Sequence, residues 1–274
     1  MWEKVFYEIS IAAARQNGLI TTAQAKRAGA DDAALAHFAS TGLLHELDWS
    51  VHQISASTYG MQYAFPYAAW LAVSPELFRW ERPDAIEKDV VISHESACQV
   101  LELGVIRTTG TRMTSATERI PPRAVLIDVA PLTPDDVMIH HGVPVTTPHR
   151  TILDLVAERA TREDIGRVVA DAVRRDMVDL RILFEDLLTM AEVYGLPTGG
   201  VHFLDYFLPE VRPESLSPQN LRTYAELRYP ERIAEIRPEV DRILGRFQPA
   251  YDPAERRDNR IGARIAAEIV ALLR

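Results

Sequence analysis

Three glycines, Gly18, Gly29 and Gly42, punctuate the first fifty residues, and between them stand two side chains suited to starting helices. Thr21 with Gln24 three positions on has the spacing of a capping box, and Asp31 can cap the run that follows it. The segments left between these marks are short, which restricts this stretch to a small helical module. A helix is expected from Trp2 to Arg15, with Val5, Phe6, Ile9, Ala12 and Ala13 on one face, then an extended Leu19-Ile20. A second helix runs from Thr22 to Ala28, and a third from Asp32 to Thr41 with Leu35 and Phe38 inward. Leu43 to Leu47 and Val51 to Ile54 read as two strands around the turn Asp48-Trp49-Ser50. Helix, helix-turn-helix and hairpin in this order describe a winged helix.

Beyond a linker-like Ser55 to Gly60, the chain alternates. Tyr67 to Leu71 predicts a buried helix start, and Ser93 to Leu101 a helix capped by Ser93 with Glu95 in its first turn. Ala124 to Val129 and Asp136 to His140 are strand candidates, and Thr147-Pro148 opens another helix with threonine at N-cap and proline at N1. A further helix covers Glu163 to Arg175. From about Asp205 the sequence turns helical, with breaks expected at Pro209, Pro213, Pro218, Pro230, Pro238, Pro249 and Pro253. It finishes in Asp258 to Leu273, where Ile261, Ile265, Ile269 and Leu272 form an apolar stripe. The expected fold class is α+β, in three parts: a winged helix-turn-helix domain over 1–58, a mixed α/β domain over 62–200 and a helical C-terminal extension over 201–274.

Charge and cysteine content narrow the function. The net charge is −9, and no part is basic: −2 over 1–60, −4 over 61–140, −3 over 141–200 and 0 over 201–274. Phosphate contacts supply most non-specific DNA affinity, so this balance weighs against a strong electrostatic DNA binder. One cysteine, Cys98, excludes an internal disulfide and a cysteine-based zinc site within one chain, which fits a reducing compartment. No apolar run approaches a membrane span and the N-terminus lacks a signal pattern, so a cytoplasmic location without membrane partners is expected.

The acid and histidine clusters, His94-Glu95 with Cys98 and His140-His141, have no recognised ligand spacing, and no metal or other cofactor is expected. Gly-rich phosphate loops and Gly-x-Ser-x-Gly elbows are absent. Arg150 falls in the first turn of the Thr147-capped helix, where a cation opposes the helix dipole. Asp154, four residues on, and Glu95 are the candidate partners, and the reading is a core ion pair locking two helices. Arg167, Arg174, Arg175 and Arg181 alternate with Asp171, Asp176 and Asp179, as a solvated mixed face does.

Two blocks together carry a resemblance. "AAARQNGLITTAQAKRAG", followed by a short helix and "TGLL", resembles the winged-helix start of AbiEi-family antitoxins, the antitoxin half of type IV toxin–antitoxin systems. "AAWLAVSPE", "VVISHESACQVLELG" and "HHGVPVTTPHRTILDLV" resemble the signposts of that family's second domain. The similarity covers about residues 10–190. It implies a repressor of its own operon, encoded beside a nucleotidyltransferase-like toxin, and an antitoxin that acts without stable contact with that toxin. Related architectures sometimes end in an endonuclease domain with a Glu-x-Lys-like element. Here no lysine follows residue 200, so a non-enzyme is expected.

The chain departs from the family where DNA would be read. Family members carry several arginines across the third helix and an arginine-rich turn at the end of the hairpin. At the matching positions stand Asp31, Asp32, Ala34, His37 and Ser40, and Leu47-Asp48-Trp49-Ser50-Val51. The DNA-contact set is therefore expected to be Thr21, Thr22, Lys26, Arg27, Ala34, His37, Ser40 and Thr41, with Arg15 and Lys4 the other nearby cations. Weak binding to operator DNA follows. The rival reading is a degenerate winged helix that binds a protein, either the toxin or a second copy of the chain.

Overall fold

The computed structural model describes residues 2–273. They are of mixed α and β type and form two compact units, one ending at Asp154 and the other beginning at Leu155. Among the described residues no helix is long and apolar enough to cross a membrane.

The first unit begins with α1 (Trp2–Ala14), β1 (Leu19–Thr21), α2 (Thr22–Arg27), α3 (Asp32–Ser40), β2 (Leu44–Glu46) and β3 (Val51–Ile54). The expected helix starts hold. Thr21 Oγ1 accepts from Gln24 N at 3.0 Å while Gln24 Oε1 accepts from Thr21 N at 3.1 Å, so each side chain satisfies the other's free backbone donor. Asp31 accepts from Ala34 N at 2.7 Å at the start of α3. At its end Gly42, with φ +71°, turns the chain so that Leu43 N reaches Phe38 O and Gly42 N reaches Ala39 O. The strands pair antiparallel in the order β1-β3-β2. Ile9, Ala13, Ile20, Ala25, Ala34, Leu35, Phe38 and Leu44 close a core between helices and sheet, and Phe78, well beyond β3 in the chain, completes it.

The hairpin turn is the unusual element. Val51 N bonds Asp48 O at 2.9 Å, with Trp49 and Ser50 both left-handed at φ +53° and +58°. Such a two-residue turn matches the twist of the strands but normally carries Asn-Gly, because a side chain strains it. Contacts from later in the same unit hold it. Trp49 Nε1 donates to Arg123 O at 2.6 Å, and Arg123 grips Asp48 at 2.8 and 2.9 Å.

The unit continues with α4 (Met61–Val73), β4 (Val90–Ile92), α5 (His94–Leu101), β5 (Thr111–Ser115), β6 (Val125–Val129), β7 (Val137–His140) and β8 (Val143–Thr146). The five strands run β6-β5-β4-β8-β7. β4 lies antiparallel to β5 and parallel to β8, β5 parallel to β6, and β7 antiparallel to β8. The middle strand is three residues long, Val90-Val91-Ile92, all fully buried. α4 is longer than Tyr67 to Leu71 and carries Pro66 within it; Tyr63, Ala64, Tyr67, Ala68, Trp70 and Leu71 are buried along it. Ser93 does not cap α5. Its hydroxyl is taken by Thr114 Oγ1 at 2.8 Å and the His94 ring at 2.9 Å, a cross-strand use that competes with capping.

α6 (Pro148–Ala157) contains the boundary between the units. The second unit is helical: α7 (Arg162–Arg174), α8 (Leu180–Tyr194), α9 (Gly200–Phe207), α10 (Pro218–Arg228), α11 (Pro230–Phe247) and α12 (Arg256–Leu272). Pro238 does not break the chain but lies inside α11. The apolar stripe expected on α12 is also corrected: Ile261, Ile265 and Ile269 are half-buried and Leu272 is exposed. The buried face carries Asp258, Gly262, Ala266, Ala267, Val270 and Ala271 instead. Small residues let α12 approach α10 and α11 closely, and a Cβ on Gly262 would come within 2.5 Å of Asp241 and Tyr251. Asn220 of α10, fully buried, ties the α7–α8 connection. It accepts from Leu180 N at 2.9 Å and donates to Val178 O at 3.0 Å and Val173 O at 3.2 Å.

Candidate nucleic-acid interface

A surface that reads DNA needs free donors and free cations, so what the expected contact residues already hold decides what they can offer. Thr21 is 1% exposed; besides its capping role its hydroxyl donates to Pro75 O at 2.6 Å. Thr22 Oγ1 is paired with His52 Nε2 at 2.9 Å. Burial of the His52 ring pushes its pKa down, so the imidazole is held neutral. Ala34 is 2% exposed and belongs to the core, because it sits one turn before Phe38 on the inward face of α3. Thr21 and Ala34 are thereby removed from the expected contact set.

His37 stands over the Trp2 ring at 3.9 Å between centroids, half covered by it. Ser40 Oγ and Thr41 Oγ1 both bond back to His37 O, at 2.9 and 2.8 Å, as hydroxyls near a helix end commonly do. The face of α3 left open consists of Asp32, Ala33, Ala36, Ala39 and Ser40. It is small, uncharged along most of its length and acidic at its start.

The two cations of α2 are also engaged. Lys26 Nζ meets Asp32 Oδ1 at 2.7 Å across the turn, both side chains well exposed. Arg27 is gripped more firmly: its two terminal nitrogens meet the two oxygens of Glu81 at 2.7 Å each, in the planar fork that suits a carboxylate. Its guanidinium also donates to Glu76 O and lies over the Phe78 ring at 4.7 Å. The hydrogen bonds from Arg27 and from Phe78 N hold the Glu81 carboxyl down at about 2. Glu81 is the residue of this surface that the sequence did not disclose, since nothing local marks a partner 54 positions away. At the hairpin turn, the bond from Trp49 N and the Arg123 pair together lower the Asp48 pKa.

The expected core pair is present in part. Arg150 Nε donates to Asp154 Oδ1 at 2.7 Å within α6, and its second carboxylate is Asp136 at 3.3 Å, not Glu95. Glu95 sits half-buried on α5 and takes no part in the pair. Asp154 Oδ2 is buried with no hydrogen-bond partner, and desolvation raises the Asp154 pKa despite Arg150. His94, whose backbone takes a left-handed φ of +54°, lies in the same region, and burial depresses its pKa. Arg167, Arg174 and Arg181 pair with Asp164, Asp171 and Glu226, as expected of a solvated mixed face. Among the described residues no group of three or more His, Cys, Asp and Glu side chains is arranged to hold a metal ion.

No family model matches the chain, and no curated protein matches it. Among solved structures, the crystal structure of RV2827C protein from Mycobacterium tuberculosis is similar over 83% of this chain and 76% of that one. The TM-score is 0.40 and the identity 14%, a likeness too low to carry an argument.

Proposed function

We propose that the chain is an AbiEi-like antitoxin and autorepressor, a non-enzymatic cytoplasmic protein that binds operator DNA weakly through a winged helix formed by α1 to β3. The observation that carries the reading is the geometry of α3. It stands second in a helix-turn-helix, capped at Asp31 and closed at Gly42, with an open face of small residues and the β2–β3 hairpin packed beside it. A face of that kind can enter a major groove, and shape rather than charge would place it. Affinity is low because Arg27 is committed to Glu81, which leaves Lys26, loosely paired with exposed Asp32, as the one cation of α2 able to meet a phosphate, so few phosphates are neutralised.

A second reading, a protein-interaction module that binds the toxin or another copy of the chain, is favoured by one observation. Trp2, Tyr7 and Ile11 on α1 are 44%, 63% and 45% exposed, and Leu43 after α3 is 38% exposed. Tyr7 and Ile11, one turn apart, share the outer face of α1, an exposed apolar pair that a partner could cover. One experiment separates the readings. The purified protein is titrated with its own promoter fragment at two salt concentrations, beside a pull-down with the product of the neighbouring gene. Salt-dependent promoter binding supports the repressor. Its absence together with a captured partner transfers the function to the apolar face.

A further inference from the structure

In the first unit a cavity of about 410 Å³ is walled by Arg15, Arg79 and Arg82, by the indoles of Trp70 and Trp80, and by Ile86, Ile139 and Pro144. Its two acids are Asp84 and Asp89. Asp89 is taken by Arg82 at 3.3 Å, leaving Asp84 as the one uncommitted carboxylate of the wall. Arg82 is almost wholly buried: it donates to Trp70 O at 2.8 Å and Leu71 O at 3.1 Å, and its Nε is buried with no partner.

Most arginines of this unit are spent on carboxylates: Arg27 on Glu81, Arg82 on Asp89, Arg112 on Asp128, Arg123 on Asp48 and Arg150 on Asp136 and Asp154. Arg15 and Arg79 are not; neither is in an ion pair among the described residues, and both face the same cavity. Arg15 is fixed there by stacking, its guanidinium 3.8 Å from the Trp80 ring centre, while Trp80 stacks on Phe78 at 4.6 Å. Arg82 lies likewise 3.7 Å over Trp70. Stacked guanidinium groups keep their donors pointing sideways and lose little freedom on meeting an anion. Arg119 is near enough to bear on the ionisation of Arg82, adding a further positive charge to the surroundings.

Arg15 and Arg79 line one cavity with no ion-pair partner of their own among the described residues, and Asp84 is the single free acid set against them; an anion entering there would meet two uncommitted guanidinium groups. A planar donor fork fits phosphate oxygens in pairs. The volume exceeds what a bare inorganic ion fills and lies in the range of small-ligand sites, and the apolar wall suits a ring. We infer that this cavity, between the α4–β4 connection and the end of α1, binds the phosphate of a nucleotide, either free or as part of a nucleic-acid strand. The inference is independent of the α3 face and of the promoter reading.

The test uses the full chain, calorimetric titration with adenosine diphosphate and with adenosine, and in parallel a short blunt DNA duplex of unrelated sequence. Adenosine diphosphate is expected to bind and adenosine not to. Arg15→Gln and Arg79→Gln should each weaken binding by about tenfold, the loss that one charge-assisted hydrogen-bonded contact brings, and Arg79→Lys should recover part of it. Thermal melting of each variant checks that the fold is kept. If only the duplex binds, and Arg79→Gln weakens it, the phosphate comes from a nucleic-acid backbone. Adenosine diphosphate and duplex that both fail to bind at millimolar concentration, or that bind the parent and both glutamine variants alike, overturn the inference.

Discussion

Replacing Lys26 by alanine should lower the salt dependence of promoter binding, and replacing Arg27 should not. The two residues are adjacent on α2 and identical in formal charge, so a charge count alone expects the same loss from each. Their partners differ. Lys26 meets Asp32 with side chains 48% and 83% exposed, a contact that water screens and a phosphate can displace at small cost. Arg27 is held in a two-pronged grip by Glu81, itself anchored by Phe78 N at 2.9 Å, and is stacked on the Phe78 ring. One phosphate contact contributes about 0.9 to the slope of log K against log salt, so Lys26→Ala should reduce that slope by about 0.9. Between 50 and 200 mM salt this is a change of about three- to fourfold in how steeply affinity falls. Arg27→Ala should leave the slope unchanged, whereas Glu81→Gln, which loosens the clamp on Arg27, should raise it by about 0.9. Fluorescence anisotropy of a labelled promoter fragment at four or five salt concentrations measures all three. Equal slopes for Lys26→Ala and Arg27→Ala would refute the claim that ion-pair commitment decides which cation is available.

Other outcomes can be measured without DNA. Asn220→Ala strips the Leu180 amide and the Val173 and Val178 carbonyls of buried partners, and urea unfolding should register a loss of about 2–4 kcal/mol; an unchanged midpoint would show that water takes over those bonds. Arg150→Ala leaves Asp154, already short of one partner, buried beside Asp136, and should cost about 3–5 kcal/mol, with DNA binding lost only through unfolding. A variant that melts like the parent yet fails to repress would place Arg150 at a working surface. Burial lowers the pKa of both His52 and His94 from the ordinary 6.5. The unfolded chain therefore takes up protons first, so stability is complete above about pH 6.5 and falls as the pH drops toward the folded values. His52→Gln and His94→Gln should each flatten that fall in melts recorded between pH 7.5 and 5.

The N-terminal elements were legible in the sequence because their signals are local: the Thr21–Gln24 box, the Asp31 cap and the Gly42 stop each act within a turn of backbone. Strands β6 and β7 were legible for a similar reason, as runs of β-branched residues. Strands β4, β5 and β8 were not. Val90-Val91-Ile92 is too short to show a period, and what makes it a strand is pairing with β5 and β8 on either side. On α12 large aliphatic residues outweighed small ones in the pattern, while helix packing selected Gly262, Ala266 and Ala267 for closeness. At the candidate interface the residue types were legible but their availability was not, since Glu81, Pro75 and Arg123 are brought to Arg27, Thr21 and Trp49 by the fold alone.

The N-terminal helices share a core with Phe78, and the β2–β3 turn is fastened through Trp49 and Asp48 to Arg123. If this module reads DNA as proposed, the head is one piece with the neighbouring elements of the first unit rather than a bead on a string. For two copies sitting side by side on one operator, the distance between heads would be set by solid protein, with no slack to absorb a change in spacing. Inserting a few base pairs between half-sites would then turn one head to the wrong side of the duplex and abolish joint occupancy, where a tethered pair would only lose some of its effective concentration. A head so anchored would trade reach for register.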